Sequence, residues 1–345
     1  MLSRHGFRIG ALTVALVAAA AGCGRGGTAH SSSSGGAGGG LKVAIVTRDF
    51  SNPYWAALRD GALAQGRKLG VRVNVQAGAD ETDSDGENAK ISTLAGQGYN
   101  CFGVVPVNAT NVITPLVPVA QKKIPILDLD TQISPSAASA AGVSFATFIG
   151  SDNSDAGRIA GQRMLQVLGG TGKVAVLQGI AGEQNGINRV NAFSQTVAGK
   201  LTIVQKAPAD YEQDKALTVT EAVLRAHPDI TGIFAANDTM GLGAAQAITN
   251  AGRSGRIKVI SVDGIQDALQ SVQSGTLSGT VTQYPYAEGQ LAVSACLALA
   301  EHKTVPARVV SPIKLITSQN VQQARSAFPK PYFAYSDPIT PLVAK

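Results

Sequence analysis

The stretch KVAIVTRDFSNPYW, Lys42 to Trp55, decides the fold. Its first half, KVAIVT, is an apolar, β-branched run of the kind that forms a buried strand. Asn52-Pro53 is a turn signal and a helix start. After it comes a helical pattern of alanine, leucine and charge. A strand feeding a helix through a short polar loop is the first half of a βαβ unit. It also sets a tyrosine and the chain's only tryptophan, Tyr54 and Trp55, on a helix's first turn, just past a strand end.

The alternation continues down the chain. Strand-like runs fall at Lys42–Thr47, Arg72–Gln76, Phe102–Val105, Ile124–Leu127, Lys173–Gln178, Thr202–Lys206, Gly232–Ala235, Lys258–Val262 and Gly279–Thr282. Helical patterns lie between them, from Tyr54–Leu69 through Asn188–Ala198 to Tyr286–Ala300. Strands alternating with helices through short connections predict parallel sheets with helices on both faces. The strands outnumber those of one comfortable doubly wound sheet, so the expected fold is α/β with two Rossmann-like lobes. A length of 345 residues agrees with two domains.

Polar residues gather where the strand runs end. Asn52 follows the first run, Asp128 and Asp130 the fourth, Asn237 and Asp238 GIFAA, Asp263 KVISV, and Gln283 SGTVT. The carboxyl edge of an open α/β sheet is where ligands bind. Any one of these residues reads equally well as a helix cap. Five strand ends together predict a polar site.

Composition excludes several classes. With 44% hydrophobic and 15% charged residues, the chain has apolar material for real cores and is not a disordered sequence. The formal charge of +6 is scattered rather than blocked, so no nucleic-acid partner is expected. Arg4 and Arg8 precede a short apolar run that ends in small residues at Cys23, the pattern of a secretory signal over residues 1–22. AAGC, Ala20 to Cys23, resembles a bacterial lipobox, although that motif usually carries leucine where Ala20 stands. Cys23 is therefore the expected lipidation site, and the Gly/Ser-rich residues 23–40 a flexible tether to the cell membrane. Removing residues 1–22 takes away two arginines and no acids, leaving a charge of +4. Cys101 and Cys296 then remain. Outside the cytoplasm they are free to pair, or to stay as two buried thiols.

Signs of catalysis are weak. GGTGKV, Gly169 to Val174, has valine where a phosphate loop needs serine or threonine, and reads as a helix end followed by a strand. There is no GxSxG elbow. His5, His30, His227 and His302 all fall in terminal, linker or loop positions, away from any nucleophile. No metal or cofactor motif appears, and no helix-turn-helix precedes the first strand.

Several phrases taken together resemble one family. They are SNPYW (Ser51 to Trp55), SDN (Ser151 to Asn153), LQGIAG (Leu177 to Gly182), AHPDITGIFAANDTMGLGA (Ala226 to Ala244) and VDG (Val262 to Gly264). The pattern is similar to that of the periplasmic sugar-binding proteins of the ribose-binding type, over about residues 41–316. The resemblance implies two lobes joined by three hinge strands, 41–147 plus 285–311 and 148–284 plus 312–345. It also implies a monomer that captures a small sugar or polyol by hinge closure and hands it to an ABC permease and its ATPase. The tail after Ser318 runs past the usual family end.

The resemblance also assigns roles. Tyr54 and Trp55 stack on a sugar ring and Asn52 bonds a hydroxyl. Asp130 accepts hydroxyl protons from the first lobe. Asn237, Asp263 and Gln283 bind from the second, with Tyr211 as another wall. Flat aromatic faces suit a sugar's C–H surface, and ionised acceptors suit its hydroxyls. Thr131, Ile187 and Val105 stand where ribose binders carry polar donors, so a ligand other than ribose is expected. Arg48 is placed either to replace one donor, partnering Asp130 or the ligand, or as a solvated loop arginine. A signalling receptor is the alternative reading, and a secreted sugar-metabolising enzyme a remote one.

Overall fold

Strands buried on both faces set the architecture. In the computed structural model, which describes residues 40–344, every residue of KVAIVT after Lys42 is buried. Such runs form the interior of parallel sheets covered by helices on either side. The expected signal, Cys23 and nearly all of the tether lie outside the described residues.

The first lobe runs β1 (Lys42–Thr47), α1 (Pro53–Leu69), β2 (Arg72–Ala77), α2 (Ser84–Ala95), β3 (Cys101–Val104), α3 (Ile113–Gln121), β4 (Ile126–Leu129), α4 (Pro135–Ala140) and β5 (Thr147–Ser151). The second runs α5 (Asn153–Leu168), β6 (Gly172–Gln178), α6 (Gln184–Val197), β7 (Leu201–Pro208), α7 (Gln213–Ala226), β8 (Gly232–Ala235), α8 (Asp238–Asn250), β9 (Lys258–Asp263), α9 (Gln266–Gln273) and β10 (Gly279–Thr282). The chain then returns through α10 (Pro285–Ala300) and β11 (Arg308–Ser311) to the first lobe. It crosses again to β12 (Lys314–Ile316), and ends in α11 (Val321–Ala327) and α12 (Thr340–Val343).

The first sheet has the order β11-β5-β4-β3-β1-β2 and is parallel throughout. The second, β12-β10-β9-β8-β6-β7, is parallel except where β12 pairs antiparallel with β10. In each lobe the strand order reverses, at β1/β3 and at β6/β8. Helices leave on opposite faces at such a point and open a crevice above the strand ends.

The returning helix α10 is clamped to the first lobe. A Cβ at Gly61 would come within 2.0 Å of the Tyr286 carbonyl oxygen, and one at Gly289 within 2.1 Å of that of Leu58. The two glycines therefore let α1 and α10 approach backbone to backbone. Cys101 on β3 and Cys296 on α10 are joined in a disulfide, with Cα atoms 5.8 Å apart. The sequence alone left that pairing open.

Several details depart from expectation. β5, β11 and β12 and helices α4, α9, α11 and α12 are short pieces that are not among the expected elements. Pairing of Thr147–Ser151 with β4 and β11 carries the first sheet past the expected crossing at 147. The fourth strand begins at Ile126, so Asp128 lies within it and is buried. Its Oδ2 accepts from the Ile133 amide, and the carboxyl is structural.

Candidate functional site

The two crevices face each other, and polar side chains fill the space between them. From the first lobe, Arg48 leaves the end of β1 and Asn52 caps α1, its Oδ1 accepting from the Tyr54 amide at 3.0 Å. Tyr54 and Trp55 occupy the first turn of α1, edge to face with centroids 4.7 Å apart. Glu81 comes from the loop after β2, and Asp130 from the end of β4. From the second lobe, Glu183 caps α6, with Asn185 and Arg189 on that helix. Tyr211 follows β7, Asn237 caps α8 and Asp263 ends β9. These twelve residues, six from each lobe, enclose a cavity of about 20 Å³. That is room for about one water molecule.

Arg48 is the centre of the network and is buried. Its Nε and Nη2 donate to the Pro106 carbonyl at 3.1 and 3.0 Å. Nη2 also reaches Thr131 Oγ1 at 2.8 Å and, across the cleft, Glu183 Oε1 at 3.2 Å. Nη1 lies 3.8 Å from Glu81 Oε2. The guanidinium sits between the rings of Trp55 and Tyr211, 5.3 and 5.9 Å from their centroids. Burial alone would lower its pKa, but the carboxylates of Glu183 and Glu81 reverse the effect and hold it above its ordinary value.

The carboxylates differ in their surroundings. Burial would raise Glu183, but Arg48, the Tyr211 hydroxyl at 2.5 Å and the Gly186 amide at 2.7 Å hold it below its usual range. Glu81 Oε1 accepts from Asn52 Nδ2 at 2.6 Å and Trp55 Nε1 at 2.9 Å. Its Oε2 has no hydrogen-bond partner among the described residues, and burial pushes the group up to about 7. Asp130 Oδ1 accepts from the Tyr54 hydroxyl at 2.7 Å, and Oδ2 from Asn185 Nδ2 at 2.8 Å and Thr131 at 3.0 Å. Burial drives Asp263 well above the usual carboxylate range; Arg189, at 3.5 Å, offsets this only in part. Three residues here hold positive φ: Asp130 (55°), Tyr211 (66°) and Asp263 (131°). Such backbone strain gathers where side chains must be aimed.

Arg48, Asn52, Tyr54, Trp55, Asp130, Tyr211, Asn237 and Asp263 come together around one cavity. Thr131 lies behind it, joining Arg48 to Glu183 and Asp130. Gln283 is likewise behind, donating to Asp263 Oδ1 at 2.7 Å and lying 3.4 Å from the Tyr54 hydroxyl. Arg48 is neither a solvated loop residue nor bonded to Asp130: its partners are Pro106, Thr131 and two glutamates. Ile187 is 39% exposed and Val105, just past the end of β3, is buried; neither is among the residues lining the cavity. Asp238 is a clasp beneath the site, accepting from Ser261, Thr280 and the amides of Gly264 and Ile265.

Sequence reasoning missed Glu81, Glu183 and Asn185. Glu183 follows a strand end and obeys the strand-end rule. It escaped because the α6 pattern reads as starting at Asn188, whereas the helix begins at Gln184. Glu81 sits in the acidic run DETDSD, which has no signal to separate one carboxylate from its neighbours.

A model of a periplasmic binding protein domain matches residues 43–304, and the chain belongs to that family. The D-allose-binding periplasmic protein of Escherichia coli is 31% identical over 284 residues, spanning 81% of this chain and 91% of that protein. The ribose import binding protein of Bacillus subtilis is 31% identical over 277 residues, 80% of this chain and 87% of that one. Among solved structures, an ABC transporter periplasmic solute-binding protein from Actinobacillus succinogenes, with D-allose bound, aligns with a TM-score of 0.78 at 28% identity. The alignment covers 82% of this chain and 99% of that one.

Proposed function

We propose that this chain is the extracytoplasmic solute-binding component of an ABC importer, capturing a small sugar or polyol between its lobes. The observation that carries the reading is the division of one aromatic-walled polar cavity between two lobes, with Asp130 on one side and Asp263 on the other. Arg48, Asn52, Tyr54, Trp55 and Asp130 bind from the first lobe, and Glu183, Asn185, Arg189, Tyr211, Asn237 and Asp263 from the second. Thr131 and Gln283 orient the two aspartates. Carboxylates accept hydroxyl protons, and the rings cover the C–H faces. A cavity of about 20 Å³ is far below the roughly 300 Å³ at which ligand pockets begin. Entry therefore requires the lobes to part, and the ligand stabilises their closure. The protein binds without turnover and passes its solute to a permease and ATPase. A lipid on Cys23 holds it at the membrane as a monomer.

The test is a thermal-shift screen of residues 41–345 against pentoses, hexoses, deoxy sugars and polyols. A ligand at 100 times its Kd stabilises the fold by about 2.7 kcal/mol. A strong shift that Trp55→Ala abolishes is the expected result. No shift across the panel overturns the sugar reading.

A further inference from the structure

The segment after Ser318 leaves the second lobe and ends on the first. α11 lies against α9, with Gln273 donating to Gln322 at 3.3 Å. The chain then passes the hinge. Asn320 Nδ2 donates to the Tyr332 hydroxyl at 3.0 Å, and Lys314 Nζ on β12 lies 4.8 Å from the Phe333 ring centroid. Phe333 meets Tyr284, which stands between β10 and α10 at a lobe crossing, edge to face at 5.7 Å. Asp337 accepts from the amides of Ile339 and Thr340 and turns the chain into α12. α12 lies against α10 of the first lobe, with Ile339 and Val343 buried and the Leu342 carbonyl accepting from Lys303. Residues 312–345 therefore do not all belong to the second lobe.

We infer that this tail is a fourth connection between the lobes, a strap that holds the cleft toward its closed form. The other three crossings are covalent hinges that allow rotation. The strap instead makes side-chain contacts on both lobes at once, and opening must stretch or break them. It also reaches the binding wall. Pro53 and Tyr54 of the first lobe, Leu269 of the second, Tyr284 of the hinge and Phe328-Pro329 of the tail line a second small cavity directly behind Tyr54. The strap thus backs the tyrosine whose hydroxyl meets Asp130. A contact made only when the lobes are together biases the equilibrium toward closure and lowers the population a ligand must shift.

The test needs no ligand and so stands apart from the sugar reading. Small-angle scattering of the ligand-free protein is compared for the unaltered chain, a chain ending at Lys330, and a Phe333→Ala/Val343→Ala double variant. The shortened chain keeps α11 on α9 and Phe328-Pro329 behind Tyr54, and loses the Tyr332, Phe333 and α12 contacts with the hinge and the first lobe. Both changed proteins should show a radius of gyration larger by about 1 Å, on the scale of lobes parting about a hinge. Identical profiles in all three overturn the strap and leave the tail as passive surface packing. Where the shortened chain has no cooperative melt, the double variant alone decides.

Discussion

Removing Arg48 is the most informative perturbation of the site. Arg48→Met keeps the stem's volume and deletes the charge. It leaves the Pro106 carbonyl without two donors, and Glu183 and Glu81 without their cation. An orphaned buried carbonyl costs about 1–3 kcal/mol, and a buried ion pair broken on one side about 3–5 kcal/mol. The costs overlap, because Glu81 takes up a proton readily once its cation is gone. The expected loss is about 4 kcal/mol at pH 7.5, read from urea unfolding by far-ultraviolet circular dichroism. Without Arg48 both glutamates titrate at higher pH, so the loss should shrink toward pH 5. Glu183→Gln and the double variant complete a cycle whose coupling should be about 2 kcal/mol, within the usual range for contacting charged groups. Arg48 and Glu183 sit on opposite lobes, so this coupling also measures whether the bridge holds in the ligand-free protein. A coupling indistinguishable from zero, or a loss for Arg48→Met under about 1 kcal/mol, would refute the reasoning.

Two further outcomes follow from other buried groups. The disulfide closes a loop of 195 residues that contains all of the second lobe except β12 and α11. The chain-entropy relation gives about 5 kcal/mol for it, and Cys101→Ala/Cys296→Ala should lose about 3–5 kcal/mol with a larger denaturant slope; a loss within error of zero contradicts the account. Burial pushes Glu81 and Glu87 up to about 7 from 4.5. Across that window the folded state holds protons that the unfolded chain releases, so unfolding free energy should fall as pH rises from about 5 to 7.5. Glu81→Gln/Glu87→Gln should flatten the fall, and an unchanged slope in that variant removes the assignment.

If the lobes close as proposed, the polar bonds across the cleft decide how tightly. Glu183 and Asn185 reach over to Arg48, Thr131 and Asp130. An incoming hydroxyl must match or replace those bonds. A buried polar group left unpaired in the exchange costs about 1–3 kcal/mol, which ties ligand choice to the first turn of α6 rather than to Ile187 or Val105.

The sequence by itself determined the alternation of strands and helices, because period and turn chemistry are local. Lys42–Thr47 and Gly232–Ala235 end where their residues say they should. It also marked the sheet edge that carries the polar residues, since a strand end followed by Asn or Asp is written in consecutive letters. Tertiary structure decided what depends on distant segments meeting. The pairing of Cys101 with Cys296, the burial of Arg48 between two glutamates and the return of the tail to α10 each join residues far apart in the chain. Nothing local distinguishes Glu81 from the acids beside it. It comes to line the cavity only because the loop after β2 rests against Asn52 and Trp55, where burial changes its chemistry.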